Sequence, residues 1–511
     1  MDLKNKALIF PLFLFLITIF TRVPFTSKYL YHMDSVQFAL ALEKYDITVH
    51  QPHPPGYFLY AMLGRFINLF IKDSNSTLIL ISILFSGLAV VTIYYLGKEI
   101  FDEKTGILAA LIALTSPNLW FHGEVALTYI VEAFFSAYVA LFCWRILKGN
   151  HKYLWLSVIA LGIAGGIRQN TLVFLFPLWL FSVKGVPLKK IIASIGLLGV
   201  ICLCWFVPMV WVTGGWNAYN EALRELWEFN TGHVSVFEQG WITFKIFSST
   251  LVEFVIYGVG AGIFILGIAL YSLIRNRKLL LLDRQKTLFF LLWLMPSLMF
   301  YLLIFIHPAN PGYVLILLPA LLILTVSAIV YMTEHIKAVY RKIFSISIIV
   351  LIVILNITVF LFTKYPVTHA EITTHDANLS ILLDKISTYD PLTSVLFAEE
   401  SYMFYGFRHI MYYLPAYFVY DADSRMSPNG EKRKTFGGIG KHTSLIDKII
   451  LPGSISIFVV LSITDDTDRF KAIKEVSVYN IENTDLYLIT GDIKHVNVLL
   501  PKLHVQFVTN D

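Results

Sequence analysis

Charge is what this chain of 511 residues lacks. Only 15% of its residues are Asp, Glu, Lys or Arg, against 57% hydrophobic, where a soluble globular protein carries about 25% charged. Such a chain cannot cover its surface in water. The shortage is uneven. Residues 1–363 hold 26 Lys/Arg and 17 Asp/Glu, and residues 364–511 hold 14 and 18. The first part is therefore roughly 12% charged and the second roughly 22%, close to an ordinary soluble domain. Two domains follow, a membrane body and a water-facing tail. The net charge of +5 divides into a basic body and an acidic tail and calls for no nucleic-acid partner. Cysteine is nearly absent too. Cys143, Cys202 and Cys204 all lie in apolar runs, which excludes a disulfide scaffold.

Several chemical signatures are also missing. No metal-ligand histidine pair at helical spacing and no G-x-S-x-G occurs. The run Phe436-Gly437-Gly438-Ile439-Gly440-Lys441-His442-Thr443 fails as a phosphate-binding loop. Thr435 stands where a glycine is needed, and His442 where Ser or Thr must follow the lysine. His32 and Asp34 come closest to a metal pair, and two ligands do not define a site. A divalent cation is compatible with this chain but not required by it.

Long apolar runs are what the sequence has in abundance. A membrane helix needs about 20 apolar residues. Eleven spans are expected: Ala7–Thr21, Leu78–Gly97, Gly106–Leu119, Thr128–Leu147, Leu154–Ile167, Thr171–Val183, Ile191–Val212, Leu251–Ile274, Thr287–Ile306, Gly312–Met332 and Ile343–Thr363. The first follows two lysines but has no small-residue cleavage site, so it reads as a retained anchor. Residues 57–71 would make a helix of only about 22 Å, with Arg65 and Asn68 in its middle. An arginine at the bilayer centre costs at least ~2.5 kcal/mol. This segment is expected to lie in the interface, within a first outer loop of residues 22–77. With the N-terminus inside, 18 of the body's 26 basic residues then fall in inner loops, as the positive-inside rule requires. The tail, residues 364–511, is expected outside.

The outer side collects the residues that could carry chemistry. His32 and Asp34 follow the first span, before the amphipathic stretch Val36–Leu42. His50-Gln51-Pro52-His53-Pro54-Pro55-Gly56 forms a stiff turn, with His50 and His53 as a polar wall. The competing view of Asp34 is a solvated loop carboxylate beside prolines that merely separate two helices. His122 and Glu124 occupy the next outer turn. Glu132 follows at membrane depth, where an ionisable group is either functional or a partner for Arg168 or a histidine. Arg168, in Gly165-Gly166-Ile167-Arg168, offers a planar fork suited to phosphate, or simply snorkels to the interface. His307 and Tyr313 stand in the rigid turn His307-Pro308-Ala309-Asn310-Pro311-Gly312-Tyr313.

The order of these pieces resembles the GT-C class of membrane glycosyltransferases, which take sugar from a polyprenyl-phosphate carrier. Protein O-mannosyltransferases and the aminoarabinose transferases of lipid A are the nearest by pattern. In that class a carboxylate follows the first span, matched by His32-Met33-Asp34-Ser35. A His-Pro-Pro turn precedes an interfacial helix, matched by His53-Pro54-Pro55-Gly56. A basic residue closing a small-residue run in the fifth span is matched by Arg168. A late aromatic-plus-Pro run is echoed in residues 311–319. Two positions depart. Relatives carry a second aspartate where Thr128 and Tyr129 stand, for which Glu124 would substitute. They also carry arginine where Gly312 stands, which would leave more of the phosphate binding to Arg168.

The resemblance implies a GT-C-like polytopic helical body with a small C-terminal α/β domain. Its expected reaction is transfer of sugar from a polyprenyl-phosphate donor to a glycan, lipid or protein acceptor at the outer face of the bilayer. Asp34 would be the base with Glu124 as the other catalytic candidate, and His32, His50, His53, Arg168, His307 and Tyr313 would bind substrate. In the tail, Asp376–Ile386 reads as a helix capped by Asp376. Strands are expected at Ser394–Phe397, Tyr417–Tyr420, Ser454–Ile463, Leu486–Ile489 and Val496–Leu500, with a polar loop at Ser424–His442. The tail shows no catalytic constellation. A transporter or lipid flippase is the main alternative, with Glu132 and Arg168 lining a path. It lacks the repeated broken-helix pattern. A membrane-anchored binding protein would not need eleven spans.

Overall fold

The structure, a computed structural model, describes residues 3–228, 234–276, 282–333, 338–399, 403–422, 435–441, 443–462, 476–481, 484–500 and 505–508. Its chain divides into two compact units, Met1–Thr26 with Pro54–Glu371, and Ser27–His53 with Ile372–Asp511.

The first unit is helical, and every expected span falls on a helix. Among the described residues, seven helical stretches are long and apolar enough to cross a membrane: Leu8–Phe25, Ser74–Ile100, Tyr129–Leu147, Leu188–Val212, Trp241–Ile268, Arg284–Leu303 and Ile343–Phe362. Shorter apolar helices cover Phe58–Ile71, Tyr153–Ile167 and Leu318–Met332. Helices Glu103–Thr115 and Gln169–Ser182 carry two further expected spans. Side-chain caps set several boundaries. Asp73 accepts from the Ser76 amide at 2.8 Å, Asp102 from Thr105 at 2.7 Å, and Asp283 from Lys286 at 2.8 Å, each satisfying an N-terminal donor.

Three spans differ in detail from expectation. The run expected at Gly106–Leu119 breaks at Ser116, because Pro117 starts a separate short helix, Pro117–His122. The run expected at Leu251–Ile274 begins earlier, at Trp241, and is interrupted by a 3₁₀ turn at Gly260–Gly262. Gly260 has φ +60°, and a Cβ there would lie 2.0 Å from Asn356 Oδ1, so only glycine fits. The run expected to begin at Gly312 starts as a 3₁₀ segment, Pro311–Ile316, and becomes α-helical at Leu318.

Small residues let these helices touch. A Cβ on Gly97 would sit 2.8 Å from Gly106 Cα, and one on Gly106 would sit 2.5 Å from the Tyr94 carbonyl oxygen. Backbone contact of this kind takes the place of hydrophobic burial as glue between membrane helices. Buried polar side chains reach neighbouring backbones. Ser136 Oγ donates to Ile316 O at 2.7 Å and accepts from Trp293 Nε1 at 2.8 Å, and Trp205 Nε1 donates to Gly162 O at 3.0 Å.

The second unit is the expected α/β fold. Its described strands are β1 (Ser394–Ala398), β2 (Phe418–Asp421), β3 (Thr435–Ile439), β4 (Ser444–Ile446), β5 (Ile449–Pro452), β6 (Ile457–Ser462), β7 (Ser477–Asn480), β8 (Tyr487–Asp492) and β9 (Val505–Val508). Seven form one sheet in the order β4-β3-β2-β1-β6-β8-β7, and β5 pairs with β9. β1 is parallel to both β2 and β6, and the outer strands run antiparallel. The central strand is buried along its whole length, as a strand covered on both faces must be. Leu379, Leu396, Val419 and Leu488 lie in one apolar cluster, and Phe397, Val460, Ile489 and Leu499 in another.

Some tail expectations are corrected. The helix runs from His369 to Ile386, so Asp376 lies mid-helix and does not cap it. Its buried carboxylate instead accepts from Ser27 Oγ at 2.9 Å, the Lys28 amide at 2.8 Å and the Tyr29 amide at 3.3 Å. Residues Val496–Leu499 form a helical turn instead of a strand, entered through Asp492, which caps the preceding turn by accepting from Lys494 N. Within the supposed loop Ser424–His442, residues 424–434 and 442 lie outside the described residues, but Thr435–Ile439 is a strand. Gly437 permits it, since a Cβ there would meet the Tyr420 ring at 2.1 Å. The stretch Val36–Leu42, expected to be amphipathic, is buried throughout within helix Met33–Glu43.

Gly106→Ala should destabilise the membrane unit, because the obstacle to its Cβ is backbone that cannot rotate away. Overpacking of this kind costs about 1–3 kcal/mol. A lowered unfolding midpoint of the detergent-solubilised protein checks it, and an unchanged midpoint contradicts it.

Candidate functional site

In the membrane unit, Arg168 is the centre of a dense polar cluster. Helix Tyr153–Ile167 ends after Gly165-Gly166, and Arg168 takes an extended backbone before the next helix starts at Gln169. Its side chain is only 5% exposed, so it does not snorkel. Its Nε lies 3.4 Å from Glu132 Oε2, and Nη1 donates to Thr128 Oγ1 at 3.3 Å. The guanidinium carbon lies 4.4 Å from the ring centre of Tyr129, 5.5 Å from Tyr313 and 5.8 Å from Tyr57. Aromatic faces stabilise a desolvated guanidinium by their quadrupole. Glu132 is fully buried, and its Oε1 accepts from Thr171 Oγ1 at 2.8 Å. Of the two roles open to Glu132, the structure displays the partnership with Arg168.

The turn holding Tyr313 is pinned against this cluster. Asn310 Nδ2 donates to Tyr129 OH at 2.9 Å, and Asn118 Nδ2 donates to Pro311 O at 2.9 Å. The Tyr313 ring packs on Tyr129 at 5.6 Å and Tyr301 at 5.7 Å. A Cβ on Gly312 would lie 2.3 Å from the Tyr129 ring and 2.7 Å from His122 Nε2. An arginine at 312 therefore has no room, and Tyr129 and Gly312 are departures that fit each other. His307 Nδ1 accepts from the Ala309 amide at 3.1 Å within its own turn.

Glu124 is fully buried, with Arg22 as the opposing charge. Arg22 is itself buried, donates to Leu114 O at 2.8 Å and lies over the Trp120 ring at 4.6 Å.

In the second unit, Asp34 sits in the first turn of helix Met33–Glu43, where the helix dipole favours a carboxylate. It is not a loop residue. His32 is the N-cap. Its Nδ1 accepts from the Asp34 amide at 3.0 Å, and its own amide donates to Ser35 Oγ at 3.3 Å. The carboxylate lies 3.6 Å from His32 Nδ1 and 3.6 Å from His53 Nδ1, with 19% of its side chain exposed. His53 Nδ1 also lies 2.8 Å from Gln37 Oε1, a bond in which the imidazole N–H donates. His50 has φ +55° and packs its ring against Phe436. Behind this group lie two further buried histidines, His375 and His409, with ring centres 6.1 Å apart. Among the described residues, no group of three or more His, Cys, Asp or Glu is placed to hold a metal ion.

Comparison with known proteins adds sequence and fold relationships to this geometry. Residues 52–211 match the family model of dolichyl-phosphate-mannose-protein mannosyltransferases. The crystal structure of apo ArnT from Cupriavidus metallidurans aligns over 96% of this chain and 98% of its own, at 12% identity and a TM-score of 0.55. The same protein bound to undecaprenyl phosphate aligns over the same shares, at 10% identity and a TM-score of 0.55. This is the ArnT fold. None of the curated proteins matches the chain by sequence. The family model bears out the resemblance to GT-C glycosyltransferases, and the enzyme class that goes with it, over the residues it matches. ArnT bears out the fold along nearly the whole chain.

The structure brings Arg168 and Tyr313 together in one unit, and His32, Asp34 and His53 together in the other. His307 and Glu124 are not among the partners of Arg168. Sequence reading missed Tyr57, Tyr301, Thr171 and Gln37. For Tyr57 the signal was present, since it directly follows the Pro-Pro-Gly turn. Thr171 lies three residues beyond Arg168, but only the fold reveals what it bonds.

Burial pushes the His32 imidazole below the ordinary value of 6.5; nearby Asp34 opposes the fall and His375 adds to it. Burial likewise pushes His409 well below that value. A histidine held neutral in the fold but free to protonate when unfolded stabilises the protein above pH 6.5 and loses that contribution as pH falls below it. His32→Asn keeps a good helix cap without the titration. Unfolding midpoints at pH 7.5 and pH 5 should differ less in this variant than in the parent. Equal pH dependence would contradict the assignment.

Proposed function

We propose that this protein transfers a sugar from a polyprenyl-phosphate carrier to a hydroxyl or amine acceptor on the outer face of a membrane. The observation that carries this reading is Asp34. It is a carboxylate flanked by two imidazoles and partly open, whereas Glu124 and Glu132 are shut away. The bound carrier in the ArnT structure, undecaprenyl phosphate, supports the donor class. A glycan, lipid or protein acceptor is equally compatible with the residues.

Asp34 takes the proton of the acceptor O–H or N–H as its oxygen or nitrogen attacks the anomeric carbon. The bond from that carbon to the carrier phosphate breaks, and the phosphate leaves with the electron pair. Arg168 supplies fixed positive charge to it, with Tyr313 beside the guanidinium. His53, whose Nδ1–H is donated to Gln37 at 2.8 Å, sits 3.6 Å from the carboxylate and helps to orient it. His32 does so from the helix cap. A single displacement inverts the anomeric centre. His50 and His307 are each assigned to substrate binding, one in the second unit and the other in the first. The N-terminus lies inside and the C-terminal domain outside, as the inward placement of basic residues requires.

Asp34→Asn keeps size but cannot accept the proton, and loss of a general base costs about 10²–10⁴-fold in rate. Glu124→Gln should reduce transfer far less. Turnover with membrane extracts as donor source measures both, and normal transfer by Asp34→Asn would remove the base assignment. Orientation is tested separately. Lys448 is exposed, and Lys448→Cys in a cysteine-free background should react with an impermeant thiol reagent in intact cells. Reaction only after permeabilisation would reverse the topology.

A further inference from the structure

Glu132 lies against Arg168 in a way that an ordinary structural ion pair does not. Charge-assisted hydrogen bonds of this type close to about 2.7–2.9 Å. Here Nε and Oε2 stand 3.4 Å apart, and neither atom has a hydrogen-bond partner among the described residues. Glu132 makes its hydrogen bond to Thr171 instead. Arg168 is held independently, by the Thr128 hydroxyl and the rings of Tyr57, Tyr129 and Tyr313. The carboxylate is therefore close enough to cancel charge but not needed to hold the guanidinium.

We propose that Glu132 is a competing counter-charge that weakens the grip of Arg168 on the carrier phosphate and so lets the spent carrier leave. The inference rests on the carrier-phosphate role given to Arg168 above. Its logic follows from the change of charge during the reaction. The sugar-linked donor is a phosphodiester with one negative charge. The spent carrier is a monoester that can carry up to two. An unopposed buried arginine would bind the product more tightly than the donor and hold the enzyme in its product complex. A fixed anion beside the same guanidinium repels both ligands, the more highly charged one more strongly. Glu132 is a positioning residue in this scheme, acting only through Arg168.

The test is direct binding of undecaprenyl phosphate to the full-length protein in nanodiscs. Glu132→Gln removes the charge and keeps the shape and the bond to Thr171. Its affinity should rise by about tenfold or more, as expected when a like charge is removed from a low-dielectric site. Glu132→Asp, which draws the carboxylate back from Arg168, should show a smaller gain and serves if the Gln variant does not insert. A merely structural role predicts the opposite, since a displaced Arg168 would bind more weakly. Unchanged or weaker binding by both variants, with normal binding by the parent, overturns the inference alone. If no form of the protein binds the carrier, the role of Arg168 in the proposed function fails, and this inference with it.

Discussion

The membrane unit is organised by the need to neutralise two arginines inside an apolar bundle. A buried charge survives only where other groups replace the water it has lost. Arg22 draws on a backbone carbonyl, an indole face and Glu124. Arg168 draws on one hydroxyl, three phenol rings and Glu132. The two solutions differ in kind. Arg22 donates to the chain itself and ties helix Leu3–Arg22 to helix Glu103–Thr115. Arg168 makes a single side-chain hydrogen bond, to the Thr128 hydroxyl at 3.3 Å, and is otherwise surrounded by aromatic faces.

That difference depends on close packing around the second arginine. Tyr129 can stand over Arg168 because Gly312 clears the space behind it and Asn310 holds its hydroxyl. Gly165 and Gly166 bring the helix end near enough to deliver the arginine at that spot; a Cβ on Gly166 would meet Leu59 at 2.4 Å. Each of these residues is small or aromatic, and none carries charge. The electrostatics of the cluster therefore rest on packing, which tolerates little change in volume.

Much of the fold was legible in the sequence. Apolar runs marked all seven helices that, among the described residues, are long and apolar enough to cross a membrane, because a bilayer imposes length and composition together. Helix breaks were harder to see. Pro117 is a visible signal, but the 3₁₀ turn at Gly260 depends on Asn356, nearly a hundred residues away. In the tail, alternating hydrophobicity exposed β1, β2, β6 and β8. It missed β3, whose glycines carry no hydrophobic signal, and it made a strand of Val496–Leu500, where β-branched residues entered a helical turn. The site was legible by residue type. Asp34, His53 and Arg168 stood out as polar groups in apolar or proline-rich surroundings. Gln37, Thr171 and Tyr301, which meet His53, Glu132 and Tyr313, are ordinary residues made special only by distance in space.

The carboxylate of Asp376 binds the backbone at Lys28 and Tyr29, and Arg408 reaches the carbonyl of Val49 at 2.7 Å. The segment that carries Asp34 thus precedes its anchors by more than three hundred residues. Emerging from the ribosome, it has its local contacts among His32, Asp34, Gln37 and His53, but these anchors follow only more than three hundred residues later. Contacts so distant along the chain form late and slowly. The unit around Asp34 is consequently completed last, after the helices are threaded through the bilayer. Biogenesis itself therefore leaves the surroundings of the carboxylate incomplete until those distant anchors have been made.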